Sequence, residues 1–81
     1  MKERALKIVV DYISEIHKKS GDIPHFEVFL VWMCKTLQNW KFLIASTLSD
    51  GMYYEVTYNG DAHEWYLDAY VKVENQVIKD E

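Results

Sequence analysis

The chain has 81 residues, 49% hydrophobic and 15% aromatic, which predicts one small domain over residues 1–81 and excludes a disordered chain. Its only cysteine, Cys34, excludes an internal disulfide, and no apolar run reaches the roughly 18 residues of a membrane helix, so we expect a cytoplasmic protein without membrane contact. The net charge is −4 and the excess acid lies in residues 50–81, which argues against direct nucleic-acid binding because phosphate contacts need a basic surface.

The first predicted element is an amphipathic helix from Glu3 to Lys19. Apolar side chains recur at helical spacing on one face of this segment: Leu6, Val9, Val10, Ile13 and Ile16. A basic run, His17 to Lys19, suits the negative end of the helix dipole, and Ser20-Gly21 predicts the C-cap. A connector over residues 21–24 then leads away from the helix.

The segment Phe26–Leu37 is dense in β-branched and aromatic residues, which predicts a strand buried on much of both faces. A helical stripe fits the same residues, so a helix stays an alternative there. We expect Cys34, in this apolar setting, to be a buried and unreactive thiol. Gln38-Asn39 predicts a turn, Trp40–Leu48 a second strand, and Ser49-Asp50-Gly51 a three-residue hairpin turn.

Two further strands are predicted around Asn59-Gly60. Residues 52–58 form the third strand, and Asn59-Gly60 predicts a type I′ turn, which needs positive φ at both residues. From Trp65 to Val77 the odd positions are apolar except for Asn75, which favours a strand with Leu67 and Val71 facing the core. A two-residue loop would pair Glu55 with Glu64, and a four-residue loop would pair Glu55 with Tyr66.

These elements predict an α+β fold in which an N-terminal amphipathic helix packs on a four-stranded antiparallel meander. The alternative is an α-β-β-β-α order, with residues 62–78 as a second helix. We call the sheet face that the helix covers the inner face and the opposite face the outer face.

The predicted outer face carries tyrosines set among acidic residues. Tyr and Trp anchor interfaces because they bury a large area with little rotamer entropy. We therefore predict that this face binds a protein partner, which includes a second copy of the chain as a homodimer. The predicted partner-binding residues belong to the last two strands, with Trp40 at the edge: Trp40, Tyr53, Glu55, Glu64, Tyr66, Asp68 and Tyr70.

Three stretches have a more specific likeness: residues 35–41, residues 50–61 and residues 66–70. With these strings, residues 26–75 resemble a family of small proteins of unknown function carried by phages and prophages of Gram-positive bacteria. The N-terminal helix matches this family more loosely. The resemblance implies a mobile-element origin and a cytoplasmic setting, and it implies no catalytic residues.

Catalytic and cofactor chemistry is not predicted. The histidines His17, His25 and His63 lack the spacing of a metal site, and all three glycines fall in turns or caps, which leaves no phosphate loop. Carboxylates on the outer face have no nucleophile or cofactor loop beside them. We expect a non-catalytic protein-interaction module without metal or cofactor; the alternative is an acidic nucleic-acid mimic that inhibits a host DNA- or RNA-binding protein.

Overall fold

The computed structural model describes residues 1–80, in which one helix and four strands follow each other along the chain. Their bounds are α1 Lys2–Lys19, β1 Val28–Thr36, β2 Asn39–Ser46, β3 Met52–Asn59 and β4 Glu64–Val71. The strands form one antiparallel sheet in the order β1-β2-β3-β4. The predicted α+β meander is confirmed, and the α-β-β-β-α alternative is wrong because residues 64–71 form a strand and residues 72–80 have no regular structure.

Helix α1 buries one narrow stripe of side chains. Ala5, Val9 and Ile13, four residues apart, are fully or almost fully buried. Ile16 continues the apolar pattern in the sequence but is 46% exposed, so the stripe ends one turn earlier than predicted. The predicted C-cap is confirmed: the Gly21 backbone N–H donates to the Lys18 carbonyl at 3.1 Å, and Gly21 has φ +100°.

The core lies between α1 and the inner face of β1, β2 and β3. Phe42 and Ile44 on β2 and Tyr54 and Val56 on β3 are at most 2% exposed, and the Tyr12 and Tyr54 rings meet edge to face at 5.9 Å.

Strand β4 contributes to this core at one of its two predicted positions. Leu67 is half-buried against the core cluster, as predicted. Val71 is 59% exposed, so its predicted burial is wrong. It is the last residue of β4, and the main contacts of α1 are with the other three strands.

Strand β1 differs from the prediction in its burial. Seven of its nine residues are exposed, and only Val28 and Leu30 are half-buried. It is an edge strand with the helix on one side, so it cannot be buried on both faces. The register also shifts between Leu30 and Trp32, a β-bulge that changes which side chains point outward. Cys34 follows the bulge and is exposed, so the predicted buried thiol is wrong.

The β3–β4 hairpin is confirmed, but its turn is not the predicted type I′ turn. The loop comprises residues 60–63, and the residue with positive φ is His63, at 55°, while neither Asn59 nor Gly60 is in that region. The Asn59 side chain accepts the backbone N–H groups of Asp61 and Ala62 at 3.1 and 3.2 Å, which closes the turn instead.

This turn sets a register that differs from both predicted ones: Glu55 lies opposite Asp68, and Thr57 lies opposite Tyr66. The β2–β3 connection is also longer than the predicted three residues, because β2 ends at Ser46 and residues 47–51 form the loop. Gly51 has φ +69°, which confirms the left-handed position predicted for it.

Candidate functional site

The outer face carries three transverse rows of side chains, one from each strand per row. Strand alternation and the observed register assign the rows. The first row is Phe29, Ala45, Tyr53 and Tyr70. The second is Trp32, Leu43, Glu55 and Asp68. The third is Cys34, Lys41, Thr57 and Tyr66. No helix or strand of the described chain lies over these rows, since α1 packs on the opposite face.

The half of this face on β1 and β2 is largely apolar. Phe29 and Trp32 are 49% and 46% exposed, and Val31 at the bulge is exposed to a similar extent. Leu43 is half-buried, and Ala45 is nearly buried although it lies outside the core cluster. An antiparallel sheet that faces water normally alternates apolar and polar residues, so this half has more apolar surface than solvation requires.

The half on β3 and β4 combines tyrosines with two opposed carboxylates. Glu55 and Asp68 face each other across the strands, which leaves their Cβ atoms about 4.5–5.5 Å apart and is mildly unfavourable for like charges. Tyr53 and Tyr70 form the row on one side of this pair, and Tyr66 lies in the row on the other side. Tyr66 and Tyr70 are 43% and 52% exposed.

One cation compensates this pair in part. The Lys41 ammonium donates to Glu55 Oε1 at 3.4 Å, and both side chains are partly exposed, so the ion pair is weak. Asp68 makes no ion pair within residues 1–80. The opposed carboxylates therefore carry a net negative charge at the centre of the face.

A shallow cavity of about 320 Å³ lies at one end of the outer face, around the third row. Its surface is mostly apolar, and nine residues line it, three of them aromatic: Cys34, Thr36, Asn39, Trp40, Lys41, Thr57, Tyr58, Asn59 and Tyr66. The thiol contacts the Thr36 hydroxyl at 3.8 Å. Carboxylate and imidazole groups are not part of this lining within the described residues, and its ionisable side chains are those of Cys34, Lys41, Tyr58 and Tyr66.

The sequence-predicted binding residues are mostly brought together. Tyr53, Glu55, Tyr66, Asp68 and Tyr70 lie in adjacent rows, and Glu64 extends the same face at the start of β4, opposite Asn59.

Trp40 is separated from this set. It lies opposite Tyr58 on the inner face, and its ring stacks on buried Phe42 at 5.9 Å with an interplanar angle of 3°. There it belongs to an aromatic cluster that includes Trp65, whose ring is 4.8 Å from Tyr58.

Sequence reasoning missed the apolar half of the face. Phe29, Trp32 and Leu43 are absent from the predicted site because a continuous apolar run is typical of a strand buried on both sides. The position of β1 at the start of a meander is the available signal, since the first strand of a meander is an edge strand. The bulge that turns Trp32 outward has no clear sequence signal.

In the described part of the chain, no three His, Cys, Asp or Glu side chains come together as a metal site would need. His63 instead lies near Tyr58, with Nδ1 3.3 Å from the phenol oxygen. Within residues 1–80, no helix has the length and apolar character needed to cross a membrane.

Comparison with known proteins gives one family. Neither the curated proteins nor the solved structures contain a match to the chain. The family of unknown function DUF6275 matches residues 2–80. The match covers nearly the whole chain, and the protein belongs to this family.

Proposed function

We propose that this protein is a non-catalytic module that binds a protein partner through the outer face of its sheet. The observation that carries the proposal is the uncovered face itself, on which exposed Phe29, Trp32, Tyr66 and Tyr70 surround half-buried Leu43 and Tyr53. Exposed apolar patches rimmed by polar groups mark interaction sites, and tyrosine and tryptophan dominate their binding energy.

The site is large enough for a specific complex. Four strands about 4.8 Å apart and eight residues at about 3.3 Å each give a flat area of roughly 500 Å². Side-chain relief increases the accessible area of such a face toward the roughly 800 Å² per partner of a standard interface. The sheet offers this area on rigid strands, which lowers the entropy lost on binding.

The proposal also includes the cellular location of the protein and its origin in a mobile element. The resemblance of residues 35–41, 50–61 and 66–70 to small phage and prophage proteins supports an accessory protein of phage or prophage origin that acts in the cytoplasm.

Affinity capture with matched variants tests this proposal. Tagged parent protein, Tyr70→Ala, Tyr66→Ala and Ile16→Ala are incubated with host lysate, and the bound proteins are quantified by mass spectrometry. Ile16 is the control because it is 46% exposed on α1, away from the outer face. We expect both tyrosine variants to lose the partner, by about 2 kcal/mol or more in binding free energy, and the Ile16 variant to keep it.

The response to Tyr70→Ala, measured together with the salt dependence, separates this function from the acidic-mimic alternative. A nucleic-acid mimic should lose affinity steeply with salt and on Asp68→Lys, and should tolerate Tyr70→Ala. Its carboxylates would need to form a continuous row, whereas Tyr66 lies between Glu64 and Asp68 along β4. Loss of binding in the lysine variant alone, with a steep salt slope, would contradict the interaction through aromatic rings.

A further inference from the structure

We infer that the partner segment bound by the outer face is both apolar and basic: its apolar side chains pack on the β1–β2 half, and an arginine or lysine lies between Glu55 and Asp68. This inference rests on the proposed function and specifies the chemistry of the partner. It follows from the way the outer face divides into an apolar half and an acidic half.

The apolar half selects apolar contacts. Trp32 and Leu43 occupy the second row directly beside Glu55 and Asp68, so a segment that crosses this row from β1 to β4 meets two apolar side chains and then two carboxylates. A segment that is polar throughout would leave Trp32 without apolar contact, and one that is apolar throughout would strip water from two carboxylates.

The acidic half selects a cation. The Lys41 ammonium lies 3.4 Å from Glu55 Oε1, and Asp68 has no cationic partner within residues 1–80. Covering both carboxylates with a neutral segment would remove their hydration and strengthen their mutual repulsion in a lower dielectric. A cationic side chain placed between the two carboxylates would attract both of them and offset their repulsion.

The tyrosines favour arginine over lysine at this position. Tyr53 and Tyr70 lie in the row on one side of the carboxylates and Tyr66 in the row on the other, so an entering side chain passes between rings. A guanidinium group stacks on aromatic rings and donates two parallel hydrogen bonds to a carboxylate, which an ammonium group cannot do.

A second copy of the chain is a poor occupant of this face. If two copies stacked face to face with each strand over the same strand of the other copy, Glu55 and Asp68 would lie against the Glu55 and Asp68 carboxylates of that copy. If the copies stacked with the strand order reversed, so that β1 lay over β4, Glu55 would lie over Leu43 and Asp68 over Trp32 of the other copy. In both arrangements the carboxylates lose water without gaining a cation.

Selection from a random dodecapeptide display library tests the inference while the partner is still unidentified. The parent protein is the bait, and the enriched peptides are synthesised and their affinities measured at low and moderate salt. The key variant is Glu55→Gln with Asp68→Asn, which removes two charges and keeps the shape of the side chains. The matched control is Glu3→Gln with Glu15→Gln, which removes two charges from exposed positions of α1.

We expect the enriched peptides to share an arginine or lysine flanked by large apolar residues. Their affinity should fall about tenfold or more in the Glu55/Asp68 variant and stay unchanged in the α1 control. Peptides that bind the tyrosine face equally well without a basic residue would overturn the inference and keep the proposed function. A library without enriched peptides, or peptides insensitive to Tyr70→Ala, would overturn both.

Light scattering on the parent protein tests whether a second copy of the chain occupies the outer face. A dimer mass at about 100 µM that Trp32→Ser converts to a monomer mass would show that a second copy covers the face, and would overturn the inference. A monomer mass supports it. A dimer whose dissociation constant is the same in the parent, in Trp32→Ser and in Tyr70→Ala also supports it, because substitutions in both halves of the outer face then leave the dimer contact unchanged.

Discussion

The two faces of this sheet are built from the same strands and differ in what covers them. On the inner face, α1 buries Phe42, Ile44, Tyr54 and Val56 to 2% exposure or less. On the outer face, the alternating neighbours of these residues include Leu43 and Tyr53, which are only half-buried. Apolar character alone therefore does not mark the core here, because both faces have it and only one has a helix.

The largest expected difference between the faces is in side-chain truncation. Phe42→Ala removes a ring with no solvent exposure and leaves a cavity, so the free energy of unfolding should fall by about 3–5 kcal/mol. Leu43→Ala, one residue away on the outer face, should cost about 1 kcal/mol. Urea denaturation of both variants measures the difference, and equal losses would mean that the outer face is part of the core.

A charge introduced on β4 should also affect the two faces differently. Leu67→Asp places a carboxylate on the inner face, where Leu67 packs on the core cluster, and should cost about 2–4 kcal/mol. Tyr66→Asp, next to it on the outer face, should cost about 1 kcal/mol because the new charge stays in water. Thermal melts of the two variants check this, and similar melting temperatures would contradict the assigned strand alternation.

Substitution of Gly60 tests the contact between the β1–β2 and β3–β4 turns and should lower the free energy of unfolding by a smaller amount. A Cβ at Gly60 would lie 2.2 Å from the Gln38 carbonyl oxygen, which is a backbone atom. Gly60→Ala should therefore cost about 1–3 kcal/mol through forced displacement of the turns. Gly51→Ala is the control for backbone strain, since Gly51 has positive φ and only a 4.0 Å contact. A melt of Gly60→Ala that matches the parent would show that the turns separate freely.

The smallest effect concerns pH and belongs to the inner face. Burial, with a further contribution from Asp50 and Tyr12, raises the pKa of Tyr54 above its ordinary value of 10.0. The folded state then keeps the phenolic proton where the unfolded chain has lost it, so stability is full below pH 10.0 and falls as the pH rises through the folded-state pKa. In Tyr54→Phe the dependence attributable to this group should vanish, which denaturation at pH 9 and at higher pH measures.

Much of the fold was predictable because local signals agreed with each other. The helical spacing before Ser20-Gly21 and the period-two alternation after Trp65 both have one dominant interpretation, and the structure confirms them. The register was not predictable, because it depends on the Asn59 side chain closing the turn in place of the backbone. The predicted two-residue loop places Glu64 opposite Glu55, and the predicted four-residue loop places Tyr66 there. The observed register places Asp68 opposite Glu55.

The candidate site was predictable only in its β3–β4 half. Alternation assigned Tyr53, Tyr66 and Tyr70 to one face whatever the exact register, because a shift of two residues preserves the face. The β1–β2 half depends on the bulge at Leu30/Trp32 and on the extent of α1, which are both tertiary features. Trp40 shows the same limit, since its position on the inner face follows from pairing with Tyr58.

The contact between Gly60 and Gln38 has a consequence for how sequences of this fold diverge. Two chain reversals meet there: the Gly60 N–H donates to the Asn39 side chain at 3.0 Å, and Gln38 hydrogen-bonds Asp61. Neither reversal can lengthen alone without breaking these bonds. We expect insertions and deletions at residues 37–38 and residues 60–63 to occur together in relatives, while the connector at residues 21–24 varies in length independently.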